Sequence, residues 1–171
     1  MPMQWMIAYD RKPEYLPDDF DAAVGVELEG VVQFWWRYFF PRHFTARGAQ
    51  IYRYEPRSQK YMQRKLRVKH HQDPLRWSDL TRAMAMGSIT IQGPGAKYGR
   101  GGRRMMGARE ARGLMNVPRY IFQNPRGKGM NKADEMTRLA PGEAGALSRV
   151  LQERTVYRLQ LDKFAETMMI G

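Results

Sequence analysis

Cysteine is absent from the 171 residues, which excludes disulfides, thiol nucleophiles and cysteine-ligated zinc and fits assembly in a reducing cytoplasm. Histidine is scarce. Of His43, His70 and His71, the last two are adjacent and cannot share one helix face, and no HExxH occurs, so no metal site assembles and the pair reads as a surface feature at a helix end. The only serines are Ser58, Ser78, Ser88 and Ser148, none within GxSxG, which leaves nucleophilic catalysis without its parts. The carboxylate pair Asp18 and Asp19 is explained by capping a helix N-terminus. No run approaches the roughly 18 to 20 apolar residues that cross a bilayer. Met1 to Ala8 carries no basic region of the kind that opens a signal peptide. These absences predict a soluble chain that is not an enzyme, with no catalytic residues, metal, cofactor or small-molecule substrate.

What the chain has in excess is positive charge. Lys and Arg number 29 against 17 Asp and Glu, a net charge of +12, and such an imbalance calls for an acidic partner: nucleic acid, a membrane surface or an acidic protein. Hydrophobic residues at 43% and aromatics at 12% are enough for a packed core, so this is no disordered basic tail. The length suits one domain.

Pro2, Pro13 and Pro17 break any period in residues 1–17, which reads as an irregular arm. A single α+β domain is expected over 18–168. From Asp18 the apolar residues Phe20, Val24, Leu28, Val31, Trp35 and Phe39 recur at helical spacing until Pro41. The last turn, with Phe34, Trp35, Trp36, Phe39 and Phe40, is apolar nearly all round. Either the same chain wraps it or it is a subunit interface.

Arg42 to Arg76 is densely cationic, and a helix over about Pro56–Val68 would align Arg57, Lys60, Arg64 and Arg67 along one side. A solvated helix face is the alternative. A short helix over Pro74–Ala85 and an alternating strand over Met86–Gln92 follow, and Gly93-Pro94-Gly95 signals a turn. A second strand over Arg103–Val117, closed by Pro118, completes a hairpin whose Gly-rich loop, 93–104, bears Lys97, Arg100, Arg103 and Arg104. That loop lacks GxxxxGK[ST] and leads to a strand, so it reads as a cationic finger and not a nucleotide loop. A brief helix over Asn131–Leu139 and a long one from Glu143 close the chain. The architecture expected is long N- and C-terminal helices packed with an antiparallel hairpin or sheet and a basic middle helix.

Several local patterns fall in a familiar order: His43-Phe44, Tyr52 and Tyr54 in a YxY, Arg57-Ser58, Tyr61 and Lys65, then Pro74-Leu75 and a short helix, Val117-Pro118-Arg119-Tyr120, and Lys132 to Met136. Together these resemble tailed-bacteriophage virion proteins of the neck, the head-tail connector or tail-completion type, over about residues 20 to 165. The resemblance implies a structural protein between portal and tail, in a homo-oligomeric ring of about six or twelve subunits closed by a heterologous interface. It implies portal or adaptor and tail proteins as partners, packaged double-stranded DNA as a further one, and a place in the virion neck after assembly in the host cytoplasm. The aromatic helix end would serve ring closure. The two cationic groups would face the portal or the DNA backbone without reading sequence. The competing expectation is an independent nucleic-acid-binding protein in which Tyr52, Tyr54 and Tyr61 are stacking platforms among arginines.

Overall fold

The computed structural model describes residues 2–8, 19–75, 79–98, 104–122 and 132–169, with side chains for 20–75, 79–97, 104–122 and 132–160. The chain is α+β. In order it runs β1 (Pro2–Ala8), α1 (Asp19–Tyr38), a 3-10 turn (Phe40–Phe44), α2 (Gly48–Ile51), α3 (Gln59–Lys69), α4 (Asp79–Gly87) and β2 (Ile89–Gln92). Then come β3 (Lys97–Tyr98), β4 (Arg104–Met105), β5 (Glu110–Asn116), a second 3-10 turn (Arg119–Ile121), α5 (Lys132–Thr137) and α6 (Pro141–Met169).

The sheet is antiparallel, ordered β1-β5-β2, and β5 is its centre. Gly113 stands opposite Trp5 on one side and Ile91 on the other. The Ile89, Thr90, Ile91 alternation comes out as read, both isoleucines half-buried and the threonine exposed. The arm expected over 1–17 is not irregular over Pro2–Ala8. Those residues pair along the whole of β5, with Pro2 at the strand's first position, where a missing N–H is tolerated.

Helix α1 lies against β5 and β2, and α6 packs on α1. The stripe Val24, Leu28, Val31 and Trp35 is fully buried, as the spacing predicted, and meets Ala111, Met115, Leu147 and Leu151 in one core. Burying those large side chains supplies the main driving force, about 1.5–3 kcal/mol each. Close approach matters at Gly25: a Cβ there would sit 2.5 Å from both the Ala108 carbonyl oxygen and Pro94 Cγ, so the hairpin base presses on the α1 backbone. Polar ties fix the layers. Arg109 grips Asp21 with two hydrogen bonds of 2.8 and 3.1 Å, Arg158 Nε donates to Glu27 at 2.7 Å, and Trp36 donates to the Ala85 carbonyl at 3.0 Å.

Pro41 does not stop the chain's helical course abruptly. It sits in the 3-10 turn, whose Phe40, His43 and Phe44 are buried. Arg112, buried within β5, donates to Gln92 and reaches the Lys97 carbonyl, joining the sheet to the small β3-β4 ribbon.

Candidate functional site

His43, Tyr52, Tyr54 and Arg57, four residues of the ordered pattern, converge on one polar knot. His43, from the 3-10 turn, stacks on Tyr52 with ring centroids 3.5 Å apart, and its Nδ1 is hydrogen-bonded to the Tyr54 hydroxyl. Tyr52 Oη donates to Glu143 Oε1 at 2.6 Å, and Glu143 Oε2 accepts from the Ala140 N–H at 3.1 Å, so one carboxylate caps α6 and anchors the ring stack. Glu135 accepts from the Glu55 N–H at 3.0 Å and is gripped by both terminal nitrogens of Arg57. Arg138 reaches the carbonyls of Tyr52 and Arg53. Ser58 caps α3, accepting from the Tyr61 N–H at 3.3 Å, and Lys65, the one buried residue of α3, donates to the Asp73 carbonyl.

Electrostatics follow from burial. The His43 ring is wholly buried, and desolvation holds its pKa down at about 3 against a smaller opposing pull from the Glu135 backbone. Burial raises the Tyr52 hydroxyl above the usual tyrosine range, helped by Glu143, and burial with the Glu135 charge does the same to Tyr54. A neutral histidine and two tyrosines that stay protonated are suited to holding a shape and unsuited to acid–base work near neutral pH. Among the described residues, no group of three or more His, Asp and Glu could hold a metal ion.

This geometry revises several expectations. Arg57 does not join the cationic row. It precedes α3 and spends its charge on Glu135. Lys60, Arg64 and Arg67 do line one exposed side of α3, opposite the side that carries Lys65. Tyr52 and Tyr54 are interior and cannot be stacking platforms, whereas Tyr61 is partly exposed. Of the aromatic end of α1, Trp35 and Phe40 are sealed in this chain's own core, so neither can meet a neighbour. Phe34, Trp36 and Phe39 are half-buried against that core, Phe34 at 4.7 Å from the exposed Tyr38 ring. The chain wraps most of its own greasy end because the 3-10 turn folds back under it.

In the finger, Lys97 and Arg104 are exposed, and Lys97 pairs with Met105 across the ribbon; Arg100 and Arg103 lie outside the described residues. Missed entirely were Glu135 and Glu143, the carboxylates of the knot. For Glu143 the available signal was its place two residues after Pro141, where a carboxylate can cap a helix start, while Glu135, among Lys132, Asp134 and Thr137, stood out by nothing in the sequence.

Comparison with protein-family models, curated proteins and solved structures finds no match. No helix among the described residues is long and apolar enough to cross a membrane.

The surface that stands out is α3. Among its eleven residues only Lys65 is buried, while Leu66 and Val68 are 47% and 53% exposed beside the Lys60, Arg64 and Arg67 row. A left-handed His70, whose N–H bonds the Leu66 carbonyl, ends the helix cleanly. The helix is thus held rigidly by its cap, by Lys65 and by the Arg57 clamp, yet presents most of its circumference outward.

Proposed function

We propose that this chain is a structural protein of the tailed-phage virion neck, forming a ring between portal and tail that completes the head-tail connector and helps retain packaged DNA. The observation that carries the reading is α3: a well-anchored helix displayed on most sides, cationic on its outer side and carrying exposed leucine and valine. A rigidly anchored helix displayed on most sides suits a protein–protein contact, because little ordering is left to be lost on docking. Its charges suit an acidic portal or tail surface, with steering by long-range attraction. The joining of His43, Tyr52, Tyr54 and Arg57 through Glu143 and Glu135 adds support, because these positions of the pattern then belong to one framework. The exposed Lys97 and Arg104 ribbon gives the ring a second cationic element for portal or DNA backbone.

Co-expression with the portal protein of the same genome tests the reading. Electron micrographs and light scattering should show rings, alone or on the portal, of about six or twelve copies. Reversing Lys60, Arg64 and Arg67 to glutamate should weaken co-assembly at least about tenfold, the effect of one lost favourable charge contact or more. A protein that stays monomeric and leaves portal complexes bare sinks the proposal.

A further inference from the structure

The aromatic end of α1, expected to close a ring, is largely wrapped by its own chain, so contact between copies needs another surface. The edges of the sheet supply one. Among the described residues, β1 and β2 each pair with β5 on one side and with no strand on the other. Strands at such an edge hold backbone N–H and C=O groups that a further strand can take up. Helix α1 lies over β5 and β2, and β1 packs chiefly on β5, so the sheet runs one strand beyond its α1 cover.

The residues of these edges set them apart. Charged residues are 27% of the chain, yet the seven residues of β1 and the four of β2 carry none, while the central β5 holds Glu110 and Arg112. Open edges are ordinarily guarded by charged side chains, above all lysine, or by proline within the strand. This chain has 29 Lys and Arg to draw on, and β1 has proline only at its first position. Two copies that each carry +12 repel across most of their surfaces. A strand without charge is where they can approach closely with no like charges set opposite each other.

We propose that the partner of both edges is a second copy of this chain, with β2 of one copy pairing in parallel with β1 of the next. Direction follows from the sheet: β1 and β2 are both antiparallel to β5 and therefore run the same way, so neighbours related by rotation about the strand direction bring them together in parallel. A two-fold pairing of β1 with β1 leaves both β2 edges open. Head-to-tail pairing uses the two edges together and, repeated round a closed ring, leaves none. It also extends the cover, since α1 of the neighbour, lying over its own β2, then flanks the incoming β1. This deepens the neck reading and rests on it only for the closing of the row of copies into a ring.

Cysteine pairs test it, because the chain has no cysteine of its own. Within one copy Gln4 and Thr90 both stand opposite Leu114 with β5 between them, about 9–10 Å apart by strand spacing and beyond the roughly 7 Å limit of a disulfide. A bond between β1 and β2 cysteines therefore joins copies. The full-length chain carrying Thr90→Cys with Gln4→Cys, Met6→Cys or Ala8→Cys in turn, mildly oxidised, should give in at least one pairing a ladder of covalent dimers, trimers and larger species. It should form at least about tenfold faster than in the control Arg67→Cys with Gln4→Cys, as expected for thiols held together by docking. Thr90→Lys, at an exposed position, should lose the self-association seen by light scattering while the unfolding midpoint holds. Linkage that stops at dimers and forms as fast with Gln4→Cys or Met6→Cys alone means that β1 meets β1, and overturns the head-to-tail assignment. Rings in electron micrographs with no ladder from any pair overturn it as well and leave the neck reading standing. A ladder without rings keeps the edge pairing and removes the neck reading, and a chain that neither links nor associates removes both.

Discussion

Acidifying the protein from pH 8 to pH 5 should destabilise it through His43, and replacing His43 with phenylalanine should remove that sensitivity. The ring is fully buried, stacked 3.5 Å from Tyr52, and holds a pKa of about 3 in the folded chain. In the unfolded chain an imidazole titrates near 6.5. The folded value lies below the unfolded one, so the unfolded state takes up a proton first as pH falls. Stability is intact above about pH 6.5, declines below it, and levels off only beneath about pH 3. At pH 5 the unfolded chain gains about 2 kcal/mol on this account, at pH 4 about 3 kcal/mol. For a chain of this length, 2 kcal/mol corresponds to about 4–8 °C in Tm. Thermal and urea unfolding at pH 8, 7, 6 and 5 would read it in the wild type and in His43→Phe. The variant loses the Tyr54 hydrogen bond and starts about 1–3 kcal/mol lower at pH 8, a cost that His43→Phe/Tyr54→Phe should largely recover because both partners are then apolar. What matters is the slope. His70 and His71 are present in both proteins, so the difference isolates His43. If His43→Phe loses as much stability between pH 7 and pH 5 as the wild type does, the buried neutral histidine is not the cause and the argument fails.

Two further perturbations test the packing. Gly25→Ala should destabilise by about 1–3 kcal/mol, although alanine is the better helix former, because its Cβ would lie 2.5 Å from the Ala108 carbonyl oxygen. Gly145→Ala, in α6 with nothing within 4 Å of the new Cβ, should stabilise by up to about 1 kcal/mol; urea midpoints of the same sign for the two variants would contradict the close approach at Gly25. Glu135→Gln should cost about 3–5 kcal/mol, since it leaves the Arg57 guanidinium partly buried with its counter-charge gone, and chemical denaturation showing less than about 1 kcal/mol would remove Glu135 from the knot.

How far these contacts were legible in the sequence depends on how far apart the partners lie. The α1 stripe and the Ile89, Ile91 alternation could be read because each period is local, and burial followed it residue by residue. Strand β1 could not, because its hydrogen bonds go to Glu110–Asn116 across a hundred residues and the prolines behind it speak only of local breaks. Hydrophobicity marked the aromatic end of α1 as needing cover without naming what covers it. The fold-back that buries Trp35 and Phe40 depends on His43 finding Tyr52 and Tyr54, and Tyr52 on Glu143.

That dependence separates framework from function. The pattern that resembles neck proteins turns out to consist mostly of buried groups paired with one another, and a buried pair preserves a fold whatever the outer surface does. Substitutions in the knot should therefore change stability and assembly together, in proportion. Substitutions at Lys60, Arg64 and Arg67, all exposed on α3, touch no packed core, so they should change a partner's affinity while the unfolding midpoint stays put. The two sets of variants make the functional proposals and the structural ones separately testable. A protein in which the exposed cations prove as costly to stability as Glu135 would show that α3 is held by its charges, and the reading of that helix as a docking surface would go with them.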